Sequence, residues 1–379
     1  MDSSINFVIP DAIQKIIDNK SDKRIPSTIV INKRKNKKVI DLIFLSRKNI
    51  MLVDTSFWLY YRFFALRKWF HQAYPDKIAG NPEFNTNYNW LEDKQFMTKY
   101  KKLFFENIKS YCRKYKIPIE NVIFCIDCPH GDIWRLKHYT EYKGTRMESH
   151  RKNEFNSWDI FKHIKTDYLP ELKDKYNVKI LSCQGCEADD IIGNSALELI
   201  KHRLAEHVYI LSNDNDYMQI SSPVIHILDG RGMIKNNPGN DPGNDNLVYL
   251  IKKILIGDVS DNIKPCQIDI GFLENGICSG NYKQITKQNI NTILADQTKY
   301  NYIRELLNQT RHANSDSIGD GMGNGVDDKI VIKNFRENSR LMDFQMLPDK
   351  LKQDINSKFT ELFNPDMVNP DTVNPDTVK

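Results

Sequence analysis

From residue 49 onward the apolar positions fall into two alternating rhythms. Short unbroken runs occupy residues 49–54 (NIMLVD), 121–127 (NVIFCID), 177–183 (NVKILSC) and 208–213 (VYILSN), with a fifth at 223–228 (PVIHIL). Runs of this length, rich in Val and Ile, read as strands buried on both faces. Between them the apolar residues recur every three or four positions. The stretches are 56–70 (SFWLYYRFFALRKWF, aromatic-rich), 93–116 with a basic face, and 187–202 (EADDIIGNSALELIKH). Strands alternating with helices predict an α/β fold with a mostly parallel central sheet and helices on both faces. Residues 75–93 read as loop, 132–165 as mixed, charged and helical, and 247–363 as mainly helical.

The rhythm fades at both ends. Residues 1–48 read as an extension: a short amphipathic helix after Pro10, with Ile13, Ile16 and Ile17 on one face, then the basic run KRKNKK at 33–38. That run suits an import signal, a nucleic-acid-contacting arm or a solvated linker. NNPGNDPGND (236–245) is a turn-rich loop. Residues 314–329 form a flexible Gly/Asp-rich insert that lacks the spaced ligands and closing Glu of a calcium loop. The repeated NPDxV of 364–379 is too Pro-rich to build a core and is expected to be disordered.

Composition narrows the class. With 379 residues, 40% of them hydrophobic, the chain can bury one large core or two modest ones. The net charge of +5 hides a separation of signs. Between Asp132 and Lys152, six basic residues (Arg135, Lys137, Lys143, Arg146, Arg151, Lys152) face three acids. No apolar run reaches the length of a membrane span, and the N-terminus lacks a signal-peptide core. Seven cysteines, an odd number, suit reduced thiols in a soluble intracellular protein. Cys125–Cys128 and Cys183–Cys186 have the CxxC spacing of zinc ligands. Their separation is far longer than in compact zinc ribbons, and small apolar filling of strand ends is the simpler reading. The wealth of Asn, Ile and Lys points to an AT-rich genome, such as that of a large DNA virus.

Nine carboxylates carry the chemistry: Asp54, Asp127, Glu187, Asp189, Asp190, Asp214, Asp216, Asp258 and Asp261. Several sit where a predicted strand ends, from which side chains enter the crevice of an open α/β sheet. Singly, each has an ordinary explanation, as first-turn acids on a helix or as capping aspartates in a turn. Gathered, they need a cation, because two like charges about 4 Å apart repel by on the order of 4 kcal/mol at an effective dielectric of 20. Oxygen-only clusters suit Mg²⁺ or Mn²⁺, and two such ions roughly 4 Å apart are a device for cutting phosphodiesters. A sugar-nucleotide transferase built on the D-x-D pair leaves Asp54 and Asp127 unexplained.

Taken in order, the clusters resemble the 5′ nuclease superfamily: flap endonucleases, phage 5′ exonucleases and the 5′ nuclease domain of bacterial DNA polymerase I. The matches are the strand-terminal Asp54 and Asp127, the E-x-D-D helix start at Glu187, Asp189 and Asp190, the D-x-D at Asp214 and Asp216, and G-D-x-x-D-N from Gly257 to Asn262. WRLKHYTEYKGTR (134–146) resembles the family's arch, with its R…YKG-x-R pattern. Residues 334–351 (NFRENSRLMDFQMLPDKL) resemble the closing segment of a phage subgroup that includes the T-even phage RNase H, which removes RNA primers. One departure stands out. The family's glycine-rich helix–hairpin–helix, which grips duplex DNA and a monovalent ion, has no counterpart in IKPCQIDIGFLENGICSGN (263–281).

The resemblance implies a PIN/5′ nuclease-like core at 49–235 with a helical arch at about 132–165, and a helical DNA-binding part at 247–363. By it, Asp54, Asp127, Glu187, Asp189 and Asp190 hold the tighter of two Mg²⁺ ions, which Mn²⁺ can replace. Asp214, Asp216, Asp258 and Asp261 support the second, several through water. Lys143 and Arg146 contact the scissile phosphate, Arg135 holds phosphate, and Tyr142 stacks on a neighbouring base. The implied partner is DNA with 5′ flaps, nicks or RNA primers, cut to leave a 5′-phosphate during replication or repair, in a nucleus or a viral replication compartment. A sliding clamp or single-strand-binding protein is a further partner for which no segment gives a legible signal. A Holliday-junction resolvase-like enzyme, a PIN-type RNA nuclease and a catalytically silent nucleic-acid clamp remain as alternatives.

Overall fold

The computed structural model describes residues 48–79, 88–144, 157–235, 246–269, 281–312 and 328–363. The N-terminal extension up to residue 47, the middle of the expected arch with Arg146, the 236–245 loop, residues 314–327 of the insert and the NPDxV tail lie outside the described residues.

Five strands form a parallel sheet: β1 (Ile50–Asp54), β2 (Val122–Ile126), β3 (Lys179–Ser182), β4 (Val208–Leu211) and β5 (Ile225–Leu228), in the order β3-β2-β1-β4-β5. These are the five runs expected from the sequence. The central strand β1 is buried from Ile50 to Val53, and its alternate side chains serve two cores. Met51 and Val53 face the first, where α1 (Thr55–Ala73), which the short α2 (Pro75–Ala79) follows, and α3 (Lys94–Lys114) lie with the helical run α4 (Trp158–His163) and α5 (Leu169–Tyr176). A π-helical turn, Ile164–Tyr168, joins those last two. Ile50 and Leu52 face the second core, built on α6 (Ala188–Lys201). Burial on both faces explains why the strand signal is a continuous apolar run.

Local chemistry sets the helix starts. Asp54 accepts from the Phe57 amide and so caps α1, and Asp93 does the same for Phe96 at the head of α3. Aromatic residues then lock the two helices together: Trp58 Nε1 donates to the Phe104 carbonyl at 3.0 Å and the Tyr100 hydroxyl to that of Leu59 at 2.9 Å.

The C-terminal part is helical, as expected: α7 (Asn246–Ile256), α8 (Lys287–Ala295), α9 (Gln297–His312), α10 (Asp328–Met342) and α11 (Asp349–Phe363). It also holds what the sequence did not announce, an antiparallel pair β6 (Gln267–Asp269) and β7 (Tyr282–Gln284). This pair stands after Asn262, where the family pattern has its glycine-rich motif. The helices at the end of the chain close back on the sheet. Phe344, Leu347 and Ile355 belong to the second core, and a Cβ on Gly193 of α6 would meet the Phe344 ring at 2.7 Å.

Candidate active site

Parallel strands deliver their carboxyl ends to one edge, and the acids stand on that edge. Asp54 ends β1, Asp127 follows β2, Glu187 follows the turn after β3, and Asp214 follows β4. The chain passes to opposite sides of the sheet after β1 and β4, which leaves a crevice between them. There the Ser212 hydroxyl donates to Asp54 Oδ2 at 3.1 Å. Asp127 is held by the Ser56 hydroxyl at 2.5 Å and by the Ala188 amide at 2.8 Å, so the second strand's acid is tied to the start of α6.

The E-x-D-D segment divides into an anchor and two working acids. Asp190 reaches back to the Glu187 amide at 3.0 Å and accepts from Trp134 Nε1 at 3.1 Å. Two Arg135 nitrogens also meet it, at 2.8 and 2.9 Å. Oδ2 thus takes three donors, while Oδ1 has the Arg135 charge beside it but no hydrogen bond. Glu187 takes Lys143 Nζ at 2.6 Å, the Tyr142 hydroxyl at 2.9 Å and Arg135 at 3.1 Å. Asp189 accepts from the Asp190 amide at 2.7 Å and lies 3.9 Å from Arg135. Glu187, Asp189 and Asp190 can each offer an oxygen with all three within 4.8 Å, and they are the sole such group among the described residues.

Two expectations for the arch fail at this point. Arg135 is 2% exposed, and its Nε donates to the Leu341 carbonyl at 2.8 Å, so it is a buried strut rather than a phosphate grip. Tyr142 is 1% exposed with its hydroxyl on Glu187, and its ring cannot stack on a base. Strands β2 and β3 are neighbours, yet the four cysteines of the two CxxC pairs form no metal-ligating group among the described residues. Cys125, Cys183 and Cys186 are buried filling.

Lys143 itself is placed with care. It adopts φ 54°, a left-handed conformation that non-glycine residues rarely hold, and its amide donates to the Asp261 carbonyl at 3.0 Å. Asn262 Nδ2 donates to the Glu141 carbonyl at 2.9 Å, and the Tyr139 hydroxyl to that of Asn262 at 2.8 Å. These bonds fasten the base of the arch to the G-D-x-x-D-N loop. The Lys143 ammonium also lies 3.9 Å from Asp261.

A second ammonium, which the motifs do not mark, does the same work on the far side. Lys253 of α7 pairs with Asp216 and, at 3.1 Å, with Asp258. Its signal is thin: one of two lysines in an apolar helix, NLVYLIKKILI, five positions before Asp258.

The electrostatics reflect the excess of acid. Burial, and then the neighbouring Asp127, push Asp54 up to about 7. Burial and Asp189 push Glu187 up to about 7. Asp214 is raised by burial and by Asp189. Burial would raise Asp189 too, but Arg135 and Lys143 overcome it and hold that carboxyl below its usual value. Among the described residues, three cationic side chains, Arg135, Lys143 and Lys253, form ion pairs with six of the nine acids. That leaves an oxygen-rich, under-neutralised crevice, the donor set that hard divalent cations take.

Comparison with known proteins follows the same lines. Residues 49–242 match the family model described as 5′-3′ exonuclease, N-terminal resolvase-like domain. The chain is similar to the 5′-3′ exonuclease of Buchnera aphidicola subsp. Acyrthosiphon pisum, 27% identical over 67% of this chain and 77% of that protein. It is also similar to the 5′-3′ exonuclease of Buchnera aphidicola subsp. Schizaphis graminum, 24% identical over 84% of this chain and 92% of the other. Among solved structures, one likeness is the bacteriophage T5 D15 flap endonuclease in a pseudo-enzyme–product complex with DNA and metal ions. That chain is 17% identical, with a TM-score of 0.47, over 84% of this chain and 100% of that one.

Proposed function

The chain belongs to the 5′-3′ exonuclease family through its N-terminal resolvase-like domain, and from that membership we propose that it is a structure-selective, Mg²⁺-dependent 5′ nuclease acting on DNA flaps, nicks or primer ends. The observation that carries the metal and the chemistry is the crevice of nine acids against three cationic partners among the described residues. Divalent cations held there by Glu187, Asp189 and Asp54, with Asp127, Asp214, Asp258 and Asp261 around them, would supply a nucleophile from water at neutral pH and take up charge on the attacking and leaving oxygens.

The chain's own residues do the positioning. Asp190 and Arg135 fix the start of α6, so that Glu187 and Asp189 keep their aim when the substrate's charge arrives. Tyr142 and Lys143 bracket Glu187. Lys143, whose ammonium stands on Glu187, would meet the scissile phosphate and offset its developing charge. Lys253 stands to Asp216 and Asp258 as Lys143 stands to Glu187. Arg146, two residues beyond the last described position of the arch, is proposed as a further phosphate contact. The task in the cell, on this reading, is flap and primer removal during replication or repair.

End-labelled 5′-flap, nicked and single-stranded substrates with Mg²⁺ test the reading. Wild type is expected to release short 5′-phosphorylated products from the branched substrates. Asp214→Asn and Lys143→Ala are expected to slow release at least 100-fold. A wild type that cleaves none of the substrates, or variants that cleave equally well, would sink it.

A further inference from the structure

A second charged surface lies away from the acids. Helix α3 carries seven Lys or Arg (Lys94, Lys99, Lys101, Lys102, Lys109, Arg113, Lys114) and one acid, Glu106, which is itself paired with Lys109 at 2.8 Å. Where the head of α3 meets the end of α1, a shallow open recess of about 530 Å³ is lined by Trp69, Tyr74, Lys94, Thr98, Lys99 and Lys102. Trp69 is 39% exposed, an unusual position for the largest apolar side chain. Its ring meets that of Tyr74 edge-on, at 6.0 Å and 86°, making an aromatic corner. The Lys99 ammonium hangs over the Trp69 ring at 4.8 Å. The nearby acid Asp93 is occupied: it caps α3, accepts from the Tyr88 hydroxyl at 2.6 Å and pairs with Lys77 at 3.8 Å.

We propose that Trp69, Tyr74, Lys94, Lys99 and Lys102 form a second nucleic-acid site, one that takes an unpaired strand. An exposed aromatic face ringed by ammonium groups stacks a base of any sequence and holds the flanking phosphates. Base pairs in a duplex keep their faces hidden, and a shallow recess offers no wall against which to seat a helix. Lys99 and Lys102, three apart on α3, project side by side, which suits contact with successive phosphates. Trp69 lies 15 residues along α1 from Asp54, about 22 Å at the helical rise. At 3.4 Å per stacked nucleotide that is on the order of six nucleotides from the cut. As a grip on the loose strand of a branched substrate, the site rests on the nuclease reading. As a binding site, it stands alone.

The test is fluorescence anisotropy of 5′-fluorescein dT20 with the full chain in EDTA, across a salt series. Trp69→Ala, and separately the pair Lys99→Gln and Lys102→Gln, are expected to weaken binding five- to tenfold. Trp69→Phe, which keeps a stacking face, is expected to restore it to within about twofold. The paired lysine variant is expected to lower the slope of log affinity against log salt by about 1.4, at about 0.7 for each phosphate no longer neutralised. Unchanged thermal midpoints exclude misfolding as the cause. Wild-type affinity in both sets overturns the site, and an equal loss for a blunt 20-base-pair duplex overturns its preference for unpaired strands. A protein that binds dT20 through this patch but cleaves nothing would leave the site standing and remove the nuclease reading.

Discussion

The cations inside the acidic crevice are of two kinds, and burial separates them. Arg135 is the more enclosed, bonded to Glu187, Asp190 and the Leu341 carbonyl, whereas the Lys143 and Lys253 side chains keep 11% and 15% of their surface exposed. Replacing Arg135 with Leu removes the cation bonded to buried Asp190 and is expected to lower unfolding free energy by about 3–5 kcal/mol, read from urea melts. Asp54 gives the opposite sign. Its folded pKa of about 7 lies above the ordinary 3.8, so the folded, metal-free chain binds the extra proton between those values. Stability from this group is therefore present at low pH and lost as pH rises through 7. Asp54→Asn is expected to raise the thermal midpoint in EDTA most at pH 8, less at pH 5, and to leave it nearly unchanged below the ordinary value of 3.8. Equal shifts at pH 8 and pH 5 would refute the burial argument. The acids were legible because so many charges at strand ends have no other economy. The roles of Arg135 and Tyr142 were not, because a polar segment reads as exposed, and what buries this one is a carbonyl 206 residues away.

Among the elements, the turn that closes α7 is the most exacting. Gly257 has φ +75°, and a Cβ there would approach the Ile263 carbonyl to 2.5 Å, a backbone contact that cannot swing aside. Gly257→Ala is expected to cost about 1–3 kcal/mol from the strained conformation alone. It should reduce cleavage more than stability, because Asp258 and Asp261 lie on the loop this residue starts. Steady-state cleavage beside a urea melt separates the two effects. The strands and α6 were readable from rhythm, since parallel strands covered on both faces are continuous apolar runs. The β6–β7 pair was not, because three-residue strands such as Gln267–Asp269 are too short to carry a period.

At the scale of the molecule, the site is assembled from parts far apart in the chain. The sheet and its acids come from the first two thirds, while Phe344, Leu347 and Ile355 complete the core beneath α6. Asn194 of α6 donates to Asn356 across 162 residues. A chain ending at residue 327 is expected to keep all nine acids and yet lose most of its cleavage and cooperative unfolding, because Arg135 loses its carbonyl and α6 its cover. Full activity in that truncation would show that the closing helices do not support the site. Their docking could not be read from sequence, for an amphipathic helix announces that it has an apolar face but not where that face goes.

The tie between Arg135 and Leu341 also has a consequence in time. Ribosomes add about 5–20 residues per second, so roughly 10–40 s pass between the making of these two partners. For the last 80 residues of that interval, from Asp261 to Leu341, the growing chain carries all nine carboxylates without the carbonyl that anchors Arg135. A site wired in this way is complete only once Leu341 has been made and has folded back onto Arg135.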